Sequence, residues 1–403
     1  MTIHVIGAGM AGLAAAVTLA AAGHAVSLIE AAPQAGGRCR SFDDPQTGRR
    51  LDNGSHVLIG ANPAALDYLE QIGARDSLVR LGREGTPFVD LADGARWTFR
   101  AGRPVPGAVL AAHLRALALL PPCGGRTVAE VLGGGTMMQR FWGPLTIAAL
   151  NTAPERASAL LLRRIVGEIV RHGRSGLDLF MARDGLSESF VTPALSFLVR
   201  AGASLALGST VEAFEVAGGR IVALQHIGAS TAVADGERIV LAVPPSAAER
   251  LLPGLGVPQG FNAIVNGHFR VPADVLAPGS VPMLGICGGM AQWIFQRGDV
   301  LSVTVSDADA LLSLGQEELA LALWCDVAQA LDLGATSLPA HRIVREKRAT
   351  FDQTPANEAL RPDACTPLAN LFLAGDWTAT GLPATIEGAI RSGRRAASLA
   401  LAS

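Results

Sequence analysis

The sequence predicts an α/β fold in which a parallel-sheet, dinucleotide-binding domain carries an inserted α+β domain. Three observations predict it. A glycine turn, Gly7-Ala8-Gly9-Met10-Ala11-Gly12, follows the apolar run Ile3–Ile6 and opens an alanine-rich helical stretch to Ala22; Gly23 stops it and a second strand, Ala25–Glu30, follows. That is the opening β-α-β of a Rossmann-like sheet. Strand and helix alternate in the same way at the other end, with a strand at Leu371–Ala374 and a helix from about Ala384 to Ala400. At 403 residues the chain exceeds the usual size of one hydrophobic core, so two domains are expected.

Between these ends the elements follow in order. Arg49–Leu58 with the DPQTG turn before it predicts a strand pair, and Pro63–Ile72 a helix. From Pro87 the chain changes character: strands at Phe88–Leu91 and Arg96–Phe99 precede mainly helical stretches up to about Arg200. The clearest of these is Pro154–Val170, with Pro at its start, Gly173 beyond its end and Leu160, Leu161, Ile165 and Ile169 on one face. Ser204–Val243 returns to strand, with Gly218-Gly219 as a hairpin turn. Gly254–Leu333 contains strands at Ala263–Val271 and Leu301–Val305 and a helix near Gln316–Leu331; a strand at Ile343–Phe351 follows. The order predicts a discontinuous nucleotide-binding domain over 1–86, 201–253 and 334–403, with a substrate domain from 87–200 and 254–333.

Composition narrows the partners. A formal charge of -2 gives no electrostatic footprint for nucleic acid. Five scattered cysteines without a C-x-x-C pair indicate neither a disulfide framework nor a zinc site, so no metal is expected and a reducing compartment fits. The first strand begins almost at Met1, which leaves no room for a signal peptide and predicts a cytoplasmic protein. Mean hydropathy is high at +0.34, yet no uncharged run is long enough to span a bilayer. The richest segment, Val109–Leu120, is read either as a buried core helix or as a helix on a membrane surface, with Leu110, Leu114, Leu117 and Leu120 in one stripe.

The glycines explain the nucleotide. Gly7 permits the tight turn, Gly9 lets the backbone approach a pyrophosphate, and Gly12 lets helix and strand pack closely. The helix N-terminus, with Ala11 in its first turn, offers N–H donors to phosphate, and Glu30 accepts from ribose hydroxyls. NAD and FAD are not separated by that pattern. Gly36-Gly37-Arg38 extends it to G-G-R-x-x-S and would set a guanidinium beside the diphosphate.

With these blocks the sequence resembles the flavin amine oxidase and phytoene desaturase superfamily. Leu51-Asp52-Asn53-Gly54-Ser55-His56, Leu371–Thr378, Ala384–Ala389 and Ser392-Gly393 match further flavin-contact segments. The resemblance implies FAD, with Gly375 and Asp376 at the ribityl chain, Thr385 and Ile386 at the N1 and O2 edge of the flavin, and Val211 by the adenine. A narrower resemblance covers nearly the whole chain. Asp52–Gly60, Phe141–Leu145 through Ala149–Thr152, Gly289–Trp293, Arg345–Phe351 and Gly381–Ala389 look like the hydroxysqualene dehydroxylase family of bacterial hopanoid synthesis. Two positions depart from it, Ser55 where Gln is expected and Gly143 where Glu is expected.

That family implies reductive replacement of an allylic hydroxyl by hydride, giving squalene. Protein must orient a C30 chain, supply a proton and exclude water. His56 is the best acid by intrinsic pKa, or else a histidine that fixes the loop by hydrogen bonds. Lys347, the only lysine, with Arg348 beside it, would orient a hydroxyl or a water, or else pair with a local acid. Trp142 and Trp293 line the substrate chamber or pack a core. Asn151 binds the substrate hydroxyl or caps a helix, and N-capping accounts for Glu387. The competing readings are an amine oxidase or polyene desaturase on the same fold, and a flavin-bound lipid carrier without turnover. The partners implied are a C30 isoprenoid, an external reductant of unknown identity and a membrane surface, which would place the protein peripherally on the inner face of the cytoplasmic membrane.

Overall fold

A computed structural model describes residues 2–81, 85–100, 103, 105, 107, 108, 115–272, 282–334 and 337–403. Its nucleotide-binding sheet has five parallel strands in the order Ser204–Leu207, Ala25–Glu30, Thr2–Ile6, Arg238–Leu241, Leu371–Leu373. Both faces are covered, so the strands place apolar residues on each: Ile3, Val5, Leu28, Val240 and Phe372 in one core and Ile6, Ile29, Ile239, Leu241, Leu371 and Leu373 in another. The helix Met10–Ala21 buries Leu13, Val17 and Leu19 beneath the sheet, and its alanines let the last helix, Ile386–Ala402, cross closely. A Cβ on Gly393 would lie 2.0 Å from the Ala11 carbonyl oxygen, so only glycine permits that crossing.

The second sheet has seven strands, ordered His341–Phe351, Phe261–Arg270, Val300–Ser306, Trp293–Arg297, Met283–Cys287, Thr86–Asp90, Arg96–Phe99. Helix Gln316–Ala330 covers one face with Leu319, Leu323, Trp324 and Val327. The other face carries Asn266, His268, Ser302 and Thr304 and is turned toward the nucleotide-binding domain. A helical unit around Val128, Trp142, Leu150, Leu161 and Leu162 forms a separate core.

Several boundaries differ from the sequence reading. His341–Phe351, expected in the nucleotide-binding domain, is the edge strand of the seven-stranded sheet, because it pairs antiparallel with Phe261–Arg270 along its length. Conversely, Phe190, Val191, Ala194 and Leu198, expected in the substrate domain, pack into the core around Leu13 and Val17. The helix expected over Pro154–Val170 runs from Ala159 to His172. The residues before it are committed to other partners: Ser158 N donates to Gln353 O at 2.9 Å and Val128 N to Ala157 O at 2.9 Å. A strand at Leu179–Ala182, not expected, pairs with Val57–Ile59 and Leu78–Leu81. Of Val109–Leu120, residues 109–114 lie outside the described residues, and Arg115–Leu119 is a 3-10 turn with Leu117 and Leu120 exposed and Leu119 buried.

Candidate active site

The first turn assembles as its glycines require. Gly7 has φ +101°, and a Cβ there would lie 2.5 Å from the Ala242 carbonyl oxygen; one on Gly12 would lie 1.8 Å from the Gly7 oxygen. Gly9 has open space where a Cβ would stand. The helix it opens has no side-chain cap and no acidic residue in its first turn, so its leading N–H groups remain available. Ala8 N and Ala32 N donate to the two Glu30 oxygens at 2.6 and 2.8 Å, which fixes the carboxylate at the strand end and leaves lone pairs for further donors. Gly36-Gly37 follows against this turn: Gly36 N donates to Ala8 O at 2.8 Å, and Gly37 faces Gly9.

A second helix N-terminus closes the other end. Thr385 caps the last helix, accepting from Gly388 N at 3.1 Å, and Ile386 packs against the first core. Asp376, 6% exposed, accepts from Arg38 Nη2 at 2.6 Å, and Arg38 also donates to the Ala349 carbonyl. Gly375 N donates to Ser392 Oγ at 2.9 Å. Arg361 organises the segment between them. Its buried guanidinium donates to the carbonyls of Asp376, Thr378 and Leu382, to Thr380 Oγ1 and to Glu358. Glu387 caps a different helix from the one expected: Ala64 N and Ala65 N of Pro63–Gln71 donate to it at 3.2 and 2.8 Å, and Arg391 Nε at 2.6 Å. Val211 is buried at the start of the strand Val211–Ala217.

The loop Asp52–His56 lies between these two ends and the polar sheet face. Asp52 accepts from Ser41 Oγ at 2.6 Å, Leu186 N at 3.0 Å and Arg297 Nη1 at 2.6 Å. Asn53 donates to Glu346 at 3.1 Å, and Asn266 donates to Asn53 O at 3.2 Å. Gly54 has Asn266 Nδ2 3.3 Å from a Cβ position. So clamped, Ser55 and His56 line a cavity of about 20 Å³ with Asp52, Met181, Phe295 and Ser302, room for about one water. Burial pushes the His56 imidazole below its usual range, against the pull of Asp52 and with the repulsion of Arg38. His268, bonded to Ser302 Oγ at 2.8 Å, is held down to about 4 chiefly by burial, so it is neutral.

The other expected residues spread around this loop. Lys347 and Arg348 are exposed on a bulge of the edge strand where Lys347–Ala349 face Ala263; Arg348 sits 5.8 Å from the Phe261 ring centre. Trp293 is half-buried beside Phe88 (5.3 Å between ring centres) and near Met181 and Val57. Trp142 packs in the helical unit, and its Nε1 and the hydroxyl of Thr146, one turn on, are buried with no partner among the described residues. Asn151, in a left-handed conformation (φ 47°), donates to Asn262 O and Thr350 Oγ1 and accepts from Asp307 N. Its amide is thereby occupied by protein. Arg361, Arg297, Asn266 and His268 were not legible beforehand, because each acts through partners distant in sequence.

Open helix N–H groups beside Gly9, a ribose-side carboxylate and a second helix N-terminus beyond Asp376 fit a dinucleotide that runs from one helix to the other, as FAD does. Fold and site thus define an FAD-dependent oxidoreductase of the two-domain kind. The family model for flavin-containing amine oxidoreductases matches residues 10–165 and 133–401. The chain is 42% identical to the hydroxysqualene dehydroxylase of Rhodopseudomonas palustris over 100% of this chain and 98% of that one. It is also 42% identical to the hydroxysqualene dehydroxylase of Sinorhizobium fredii, over 99% and 98%. A redesigned putrescine oxidase superposes with a TM-score of 0.76 at 20% identity over 100% of both chains. The chain belongs to the flavin-containing amine oxidoreductase family and, within it, to the hydroxysqualene dehydroxylases.

Proposed function

We propose that the protein converts hydroxysqualene to squalene by reductive dehydroxylation in hopanoid biosynthesis. The observation that carries this is identity of 42% to hydroxysqualene dehydroxylases over 99–100% of this chain. FAD, once reduced by an external donor, supplies the hydride that replaces the hydroxyl.

The chain's own residues have four tasks. Gly7, Gly9, Ala11, Gly12, Glu30, Gly37 and Arg38 hold the diphosphate and ribose, and Val211 the adenine. Gly54, Ser55, Gly375, Asp376, Thr385 and Ile386 hold the flavin end, where oriented N–H groups favour negative charge. His56 gives the leaving hydroxyl its proton. Burial lowers the His56 pKa, which thins its imidazolium population while making that form the stronger acid, and the Asp52 carboxylate favours the charged form. Lys347 and Arg348 orient the hydroxyl or a water from the open side of the bulge. Trp293, Met181 and Phe295 offer the apolar wall that a C30 chain requires, with Trp142 deeper in the helical unit. Asn151 fixes the junction of helical unit and sheet.

Such a substrate stays in the bilayer, because each buried methylene contributes about 0.8 kcal/mol. The enzyme therefore meets it at a membrane surface, on the inner face of the cytoplasmic membrane. The test is anaerobic: photoreduced protein mixed with hydroxysqualene reoxidises its flavin as squalene forms. Reoxidation without squalene, or squalene without flavin turnover, refutes the assignment.

A further inference from the structure

The helix Ala159–His172 presents a face that neither cofactor nor core uses. It buries Ala159, Leu161 and Leu162. Residues three, four and seven apart share a helix face, so Arg163, Gly167 and Val170 form an outward stripe that Arg174 continues past the helix end, with Arg164 and Arg171 flanking it. Val170 is 72% exposed. At one end of the stripe stand Leu117 and Leu120, 58% and 69% exposed and tied there by the Arg163 Nη2 bond to Leu120 O at 3.2 Å. Leu177 is exposed at the other end. The helix has one carboxylate, Glu168, which is 15% exposed and held between Arg391 at 3.1 Å and Arg171 at 2.5 Å, so Arg171 reaches the surface already paired. What remains outward is apolar side chains set among arginines.

The face adjoins the flavin end of the site. A Cβ on Gly381 would lie 2.1 Å from Arg164 Nη1, so this arginine rests on the loop that leads to Thr385. Arg391, which binds Glu168, belongs to the last helix, the one Thr385 caps.

We propose that this face docks on an anionic phospholipid bilayer, with Leu117, Leu120 and Val170 entering the boundary between headgroups and acyl chains. Arg163, Arg164 and Arg174 meet the lipid phosphates. Charge complementarity selects the occupant: an apolar surface ringed by guanidinium groups with its carboxylate paired matches an anionic headgroup layer. The proposal rests on the reading of a membrane-borne C30 substrate and adds where the substrate crosses over, at a helix tied to the last helix by the Glu168–Arg391 pair.

Flotation of the holoenzyme with vesicles tests it without turnover. Vesicles containing phosphatidylglycerol should retain the protein, and pure phosphatidylcholine vesicles should retain it far less. Arg174→Gln should weaken binding to the anionic vesicles by about fivefold, with FAD content unchanged. Leu117→Ser with Leu120→Ser should weaken it on both compositions. Equal retention of wild type and variants, or equal retention on both vesicle types, overturns the proposal. A gel-filtration dimer that dissociates in these variants would assign the face to a second copy and overturn it equally. Failure to turn over hydroxysqualene with vesicle binding intact would count against the proposed reaction and leave the docking face standing.

Discussion

Replacing Asp376 with alanine separates cofactor affinity from fold stability, and the structure sets the size of each effect. The carboxylate is 6% exposed and accepts from Arg38 Nη2 at 2.6 Å. Arg38, however, is 43% exposed along its side chain and also holds the Ala349 carbonyl. Truncation therefore strands no buried charge, since the guanidinium keeps a protein acceptor and reaches water for the rest. Ion pairs of this kind contribute about 0–1 kcal/mol, so the apoprotein unfolding midpoint should move by about 2 °C or less. FAD, by contrast, loses a charge-assisted hydrogen bond worth about 1.5–3 kcal/mol, roughly 10- to 150-fold in Kd. Quenching of flavin fluorescence on titrating apoprotein with FAD measures the second effect, and scanning fluorimetry of the apoprotein the first. Asp376→Asn, which keeps an acceptor without the charge, should fall between. An unchanged Kd refutes the ribityl assignment, and a large fall in the apoprotein midpoint alongside it would show that Asp376 serves the fold instead.

Arg361 is the converse case: Arg361→Met leaves Glu358 and three buried carbonyls without their donor and should cost about 3–5 kcal/mol in urea unfolding, with or without FAD. Glu387→Ala uncaps Pro63–Gln71 and should destabilise by about 1–3 kcal/mol, with Glu387→Gln restoring part of it. His268 has a folded pKa of about 4 against 6.5, so the unfolded chain binds its proton first. Stability should be complete above pH 6.5 and decline as pH falls toward 4, by about 3 kcal/mol at ~1.36 kcal/mol per unit; His56 is displaced in the same direction, and urea midpoints of His268→Asn should show a flatter acid limb. No cysteine stands in the C-terminal flavin blocks, so acid precipitation should release intact FAD into the supernatant, and flavin kept in the pellet would contradict noncovalent binding.

The parts of the fold that were legible are those fixed by local rules. Gly7, Gly9 and Gly12 could be read one by one because each answers a steric demand of its own turn, and the hairpin at Gly218-Gly219 follows from backbone geometry alone. What escaped was set by distant partners. Strand His341–Phe351 follows the linker after the helix Gln316–Ala330 and looks from its position like a return to the first sheet, yet its hydrogen bonds go to Phe261–Arg270. Helix Ala159–His172 starts late because Ser158 is drawn to Gln353, a residue far along the chain. Glu387 was legible as a capping carboxylate, but the helix it caps was not, since only the crossing of the last helix with Pro63–Gln71 brings them together.

Polar contacts between the two domains converge on the loop Asp52–His56 and its neighbours. Arg38 to Ala349, Asp52 to Arg297, Asn53 to Glu346 and Asn266 to Asn53 all cross from one domain to the other around a single loop. Each is a directional bond between groups at least partly removed from water, so a shift of one sheet past the other breaks several at once, and cooperative networks of this kind have few intermediate arrangements. The geometry around His56 is therefore fixed by the interface itself. The apolar side chains that a long hydrocarbon would meet, Met181, Trp293 and Phe295, sit on strands beside this network and take no part in its bonds. Dispersion and burial, which are non-directional, can accommodate a flexible chain in more than one pose. A substrate entering from the bilayer would be held loosely along its length and precisely only where its hydroxyl reaches the clamped loop, which is where reaction requires precision.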